Sequence, residues 1–453
     1  MVTASFIALL FVIAGCFWAL WGRPAEGIGL PLIALATFTF VYVVEPGYLM
    51  WTNQLRYLLT DDMTTKALLL PAAALVCLMW GWHLGARHRR RFAARVTPTT
   101  GSSAARLYEY GLCTACVGTA LYLIIVERSG GFSHAYGEMH GHGFDWAHNT
   151  AYLYLSPFWV QSGLAMMVIS SSSLKMIGWR GAATAFFALT YTLNGLLLGS
   201  RHDVFAIGAI LWVSWNLAQR TRPTVARAVA PLAIASLAAL FTLGYREILH
   251  LGNNKPSAPS LLEALTVGLA NDDASLRYQT SGVEFVAHAA ILDTVDKTRK
   301  YQLGINWLYY YTVHLIPRIW WPNKPYHFET PGITNSDVLQ VTGIELSGGY
   351  ASAIVADLYS QFGYFSLLFF VCLGWCARWL LVRAELGSSV LAMCAYATLF
   401  SLSLNLFGQE FDAILVPFAY ALLPVGIYHL LESKRGRSLA IGRVPQQRWR
   451  MAG

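Results

Sequence analysis

Charge is scarce in this chain. Of its 453 residues, 12% are charged and 56% are hydrophobic, whereas a soluble domain carries about 25% charged residues. That shortage excludes an ordinary water-soluble enzyme. Nucleotide and metal signatures are also missing: no G-x-x-x-x-G-K-[ST], no G-x-G-x-x-G opening a helix and no H-E-x-x-H occurs, so nothing points to nucleotide chemistry. The seven cysteines all fall inside apolar runs, which argues against a disulfide framework. Cys113 and Cys116 read as small packing residues in a span rather than as a redox or zinc pair. A basic region ahead of the IAGC at 13–16 is lacking too, so the first apolar run is expected to be a retained span and not a cleaved signal.

What the chain has instead is apolar runs of the roughly 18–20 residues needed to cross a bilayer. Spans are expected near 3–21, 28–46, 67–86, 107–126, 151–170, 182–199, 203–219, 228–244, 363–381, 388–407 and 411–431. Backbone polar groups must be satisfied within lipid, so these are helices. The fold class is therefore all-α, a polytopic integral membrane protein of about eleven spans. It divides into an eight-span bundle (1–244), a large extracytoplasmic loop domain (245–362), a three-span bundle (363–431) and a basic tail (432–453).

Alternating spans place ARHRRRFAAR (86–95), the 171–181 loop, QRTRPTVAR (219–227), Arg378, Arg383 and the tail on one side. That side holds 20 of the 32 Lys/Arg and 3 of the 24 Asp/Glu, which marks it as cytoplasmic. The N-terminus is then outside and the C-terminus inside. The net charge of +8 follows from topology, and no nucleic-acid partner is needed to explain it.

The 245–362 segment breaks the pattern of short loops, and long ordered loops are usually functional. Helix-like pieces are expected at 260–270, 282–295 and 304–321. The last, GINWLYYYTVHLIPRIWW, is too apolar to stand free in water. It reads as a re-entrant or interfacial helix packed on the bundle and ending at Pro317 or Pro322. Trp307, Tyr309, Tyr310, Tyr311, Trp320 and Trp321 suit the headgroup level.

Polar residues with functional character gather on the outer side. In IPRIWWPNKP (316–325) three prolines stiffen the backbone around Arg318 and Lys324. Held arginine suits bidentate phosphate contact, and lysine adds a point charge. Trp320 and Trp321 offer a sugar-stacking surface, or else an interfacial anchor. Arg201, beside Asp203 between two spans, is a paired snorkelling residue or an anion-binding group at a cavity mouth. Arg246, just after the eighth span, is a snorkelling anchor or a functional outer cation, and Arg277 is a polar-loop cation. Asp357 complements a helix N-terminus or acts as a base. The histidines of the Gly-rich loop at 127–150 lack evident carboxylate partners, which leaves them weak as metal ligands.

Taken together, the aromatic helix running into IPRIWWPNKP, then TGI…GG…ADLYSQFGYFSLL, resembles the Wzy-type O-antigen (oligosaccharide repeat-unit) polymerases. The resemblance covers about 300–370, with GSR at 199–201 as a weaker match. Asp357 stands where many relatives have Glu. The resemblance implies a GT-C-like fold in a bacterial inner membrane. It implies a metal-independent glycosyltransferase without cofactor, joining undecaprenyl-diphosphate-linked oligosaccharide units at the periplasmic face. The product would be O-antigen, capsule or exopolysaccharide. Membrane lipids are the surroundings, and a flippase and a chain-length regulator are admissible partners. On this reading Arg318, Arg201, Arg246, Arg277 and Lys324 hold diphosphates. Asp357 leads as catalytic base, followed by Glu284 and His327, with Arg318 stabilising the leaving group. Two other classes compete: a polysaccharide ligase or related lipid-linked-sugar transferase, and a transporter of lipid-linked oligosaccharide or solute.

Overall fold

The computed structural model describes residues 1–21, 23, 26–87, 101–128, 131, 155–172, 177–197, 201–229, 284–309, 312–313, 316, 321, 323, 332–346, 353–386, 389–409 and 411–440. Among the described residues every regular element is helical. Six helical stretches are long and apolar enough to cross a membrane. They are α1 (Val2–Leu20), α2 (Leu30–Trp51), α3 (Asp61–Ala86), Ser103–Arg128 within α4 (Gly101–Arg128), Ala353–Glu385, and Ile414–Ser433 within the last helix. Between them lie the shorter apolar α5 (Pro157–Ile169), then α6 (Trp179–Leu197) and α7 (Arg201–Ala218). The expected span at 228–244, apart from its first two residues, and the piece at 260–270 fall outside the described residues. From the large loop come α8 (Glu284–Thr298), the short α9 (Ile305–Tyr309) and α10 (Asn335–Thr342). The Ala353–Glu385 stretch is α11 (Ala353–Phe362), a 3-10 turn and α12 (Ser366–Glu385). Then follow α13 (Val390–Ser401), α14 (Ser403–Gly408) and α15 (Asp412–Ala440).

Lipid tails are as apolar as leucine, so helices in a membrane associate through close packing more than through the hydrophobic effect. The chain supplies that packing with glycine. Gly81 and Gly85 of GWHLG on α3 face α12, where Gly374 faces back. A side chain at Gly81 would meet the Val371 carbonyl, and one at Gly374 the Leu78 carbonyl. The pairing of 81 with 371, and of 85 with 375 and 378, makes α3 and α12 run in the same direction. A second seam joins α4 and α5, where a Cβ on Gly163 would come within 2.6 Å of the Gly111 carbonyl oxygen.

These contacts give the bundle two distinct ends. Arg23, Glu26, Trp82, His83, Arg222, Arg378 and Glu385 converge at one end, here the basic end. Lys66, Asp296, Lys300, Asp337 and Tyr359 meet at the other, here the loop end.

Two interruptions have local causes. Pro46 cannot donate to its helix, and its ring crowds the preceding turn. Helix α2 absorbs this by widening into a π-turn at Phe40–Val44, just ahead of Glu45 and Pro46. Helices α11 and α12 are parted at Gly363, whose φ of +58° is left-handed backbone that glycine adopts freely.

Candidate functional site

The loop end is built around two helices with no solvent face. Phe285–Val295 of α8 is buried without interruption, and so is Ala353–Gln361 of α11. A helix buried all round must be apolar nearly all round, and both are: FVAHAAILDTV and AIVADLYSQ. They pack against each other and against α3, and they belong to the main core. The helix-like piece expected at 282–295 therefore exists, as core rather than as a loop exposed to water. The chain before Ala353 also leads into core helix.

The polar groups of these helices find partners from several elements. At the start of α8, Phe285 N–H donates to Glu45 Oε2 at 3.0 Å. Glu45, an acidic residue inside an apolar run, thereby caps an orphan donor at a helix N-terminus. One turn later the His288 ring meets Tyr42, with Nδ1 3.4 Å from the phenol oxygen and the rings edge-on. Farther along α8, Asp296 pairs with Lys66 of α3, and the Tyr359 hydroxyl of α11 donates to Asp296 Oδ1. Lys66 Nζ also lies 3.1 Å from the Tyr359 oxygen. One ammonium, one carboxylate and one phenol thus tie together α3, α8 and α11.

The chain after α8 is fastened to the end of α11. Gln302 N–H donates to the Ser360 carbonyl and Leu303 N–H to that of Gln361, at 3.1 and 3.0 Å. The Gln361 side chain accepts from Gly304 N–H at 2.9 Å and donates to Gln302. Trp307 then packs among Phe362, Phe369 and Phe411. The aromatic piece starting at Gly304 is docked on the bundle where it is described, with α9 its helical part.

Outside the spans, α10 opens with a reciprocal capping box. Asp337 N–H donates to Thr334 Oγ1, and Thr334 N–H donates to Asp337 Oδ2. Lys300 Nζ lies 2.7 Å from Asp337 Oδ1. That hydrogen bond, followed by those from Thr334, lowers the Asp337 carboxyl to about 2.

Asp357 is 8% exposed. Its Oδ2 accepts the N–H of Phe411 at 2.8 Å, immediately before α15, and Gln361 Nε2 lies 3.4 Å from Oδ1. It therefore complements the N-terminus of α15 rather than the entry of its own helix, in the middle of which it sits, and its aim is fixed by that bond. Glu284 opens α8, one residue before the amide that Glu45 caps. Trp321 is 40% exposed, which suits either stacking or anchoring. Arg201 begins α7, and the backbone is all that is described of it. Arg246, Arg277, Arg318, Trp320, Lys324 and His327, like most of the His-rich loop, lie outside the described residues.

Sequence reasoning passed over Lys66, Tyr42, His288, Asp296 and Tyr359. The signal for Lys66 was present: one cation in DDMTTKALLL, at the mouth of a span, needs a counter-charge. Its partner Asp296 lies 230 residues away, which no local pattern could reveal.

No protein-family model, no curated protein and no solved structure matches the chain.

Proposed function

We propose that the chain is a Wzy-type polymerase. In this reading it transfers a growing glycan from one undecaprenyl diphosphate to the non-reducing end of the next lipid-linked repeat unit, at the periplasmic face of a bacterial inner membrane. The fold is GT-C-like, with eleven spans, and the loop end is the outer end. The observation that carries the reading is the junction of IPRIWWPNKP with TGI…GG…ADLYSQFGYFS, whose second half is the buried helix α11 running through Gly363 into α12.

The chemistry follows from the residues. An acceptor hydroxyl attacks the anomeric carbon of the donor. The bond from that carbon to the diphosphate oxygen breaks, and the oxygen leaves with the electron pair. Arg318, Arg201, Arg246, Arg277 and Lys324 offset the developing charge, as fixed cations do best where water is excluded. The hydroxyl proton passes to a carboxylate or imidazole, with Asp357 first, then Glu284 and His327. Trp320 and Trp321 flank the sugars. Because breaking the donor bond drives the reaction, no nucleotide is needed. Transport fits less well, since it calls for charges along the midplane. Among the described residues the ion pairs between different helices sit toward the two ends.

Arg318→Ala tests the reading: inserted protein with no polymer is the expected result, and wild-type chain lengths would sink it. A ladder made from one purified lipid-linked substrate separates a polymerase from a ligase.

A further inference from the structure

At the basic end, α7 and α12 finish side by side around a cavity of about 220 Å³ lined by Asn216, Arg220, Thr221, Arg222 and Glu385. Its walls are set firmly. Arg220 N–H donates to the Leu217 carbonyl at 3.2 Å and Thr221 N–H to the Asn216 carbonyl at 2.9 Å, the paired bonds of a Schellman cap. The Thr221 hydroxyl donates to Asn216 Oδ1 at 2.6 Å and fastens the turn. In such a cap the residue past the helix takes left-handed backbone and is usually glycine. Here it is Arg220, with φ +53°. The chain accepts backbone strain to keep an arginine at this turn, and strain of that kind gathers at functional positions.

Opposite stands Glu385, its side chain 7% exposed. Its Oε2 is 3.7 Å from Arg222, too far for a hydrogen bond, and its buried Oε1 has no hydrogen-bond partner among the described residues. Oε1 is closed off from any ligand, but Oε2 is not, and a largely buried carboxylate short of donors carries a desolvation cost that a donor bound at Oε2 would relieve. The cavity therefore has two arginines, Arg220 and Arg222, in its lining, beside a carboxylate short of N–H donors. It lies where α12, the last part of a stretch long and apolar enough to cross a membrane, comes to its end.

We propose that this cavity binds the headgroup of an amine-bearing phospholipid, phosphatidylethanolamine. The phosphodiester lies against Arg220 and Arg222, and the primary ammonium donates to Glu385. Phosphatidylcholine has the phosphate but no N–H to donate. Phosphatidylglycerol has hydroxyls to donate but no cation to offset the Glu385 charge. The cavity is at the opposite end from the loop-end site, so the proposal stands apart from the polymerase reading.

The test is native mass spectrometry of the whole chain in detergent, with the three lipids matched in acyl chains and added at equal concentration. One retained phosphatidylethanolamine is expected, preferred over each of the other two by roughly tenfold, as a hydrogen bond to a buried charge supports. Glu385→Gln should erase the preference over phosphatidylcholine. Arg220→Gly fits the turn better than arginine, so the protein should stay folded while retention falls about tenfold. Equal retention of all three lipids, best retention of phosphatidylglycerol, or an unchanged preference in Glu385→Gln would overturn the proposal. Soluble glycerophosphoethanolamine at the same concentration should leave the lipid in place, and displacement would overturn the lipid as occupant.

Discussion

The two ends of the bundle solve the same problem, a charge among apolar helices, in opposite ways. For the Glu26–Arg378 pair of the basic end the solution is closed. Glu26 Oε1 lies 3.3 Å from Arg378 Nη1, Trp82 Nε1 donates to Glu26 Oε2 at 2.9 Å, and the guanidinium sits 4.8 Å from the centre of the Trp82 ring. The two charged side chains are 11% and 6% exposed, and the glycine seam of α3 and α12 runs beside them. Burial nevertheless pushes the Glu26 carboxyl up, with Arg378 the main opposing influence. At the loop end the solution is open. Lys66 and Asp296 are 17% and 31% exposed and join three helices, two of them from the side of the large loop. The difference teaches that the Glu26–Arg378 pair is locked into the bundle, while the Lys66–Asp296 pair stays within reach of water.

Breaking the closed pair should cost most. Glu26→Ala leaves Arg378 buried without its carboxylate, and a loss of about 3–5 kcal/mol is expected in denaturant unfolding of the detergent-solubilised protein. The double variant Glu26→Ala/Arg378→Met should recover much of that loss, because no charge is then stranded. Next comes the seam. Gly81→Val drives a side chain into the Val371 carbonyl and should cost about 3 kcal/mol, read as earlier unfolding and loss of a monodisperse elution peak. Asp296→Asn at the open pair should cost only about 1 kcal/mol. If it proved costlier than Glu26→Ala, the contrast between the ends would fail.

The smallest effect concerns α10 and is a matter of pH. The Asp337 carboxyl is lowered to about 2 from an ordinary 3.8, so its contribution is fully present above about pH 4 and is lost as pH falls toward 2. Hydrogen exchange of the first turn of α10 should be protected equally from pH 8 to 5, after correction for intrinsic rates, and should lose protection below 4. Asp337→Asn should remove that step.

The sequence was most informative where a rule is local. Apolar length marked the six long stretches, and the Lys/Arg bias separated the basic end, where Arg23, Arg222 and Arg378 meet. Proline and aromatic content marked the chain around Trp307 as something that must dock. What stayed hidden was non-local. FVAHAAILDTV is too short to span and carries a histidine and an aspartate, so it read as a helix-like piece of the extracytoplasmic loop. It is core because Tyr42, Glu45, Lys66 and Tyr359 come from elsewhere to meet its polar groups. Asp357 was expected at the entry of a helix but sits in the middle of α11, and its bond to Phe411, 54 residues on, needed the fold.

The central claim is that the loop end polymerises lipid-linked glycan, and one measurement addresses it directly. Purified protein in detergent, with no gradient, is given a single undecaprenyl-diphosphate-linked repeat unit, and the products are separated by size. The account predicts a ladder of repeat lengths that disappears in Arg318→Ala and shrinks in Asp357→Asn, while both variants elute as folded protein. An unextended substrate band with the unaltered chain, or a full ladder from Arg318→Ala, would contradict it.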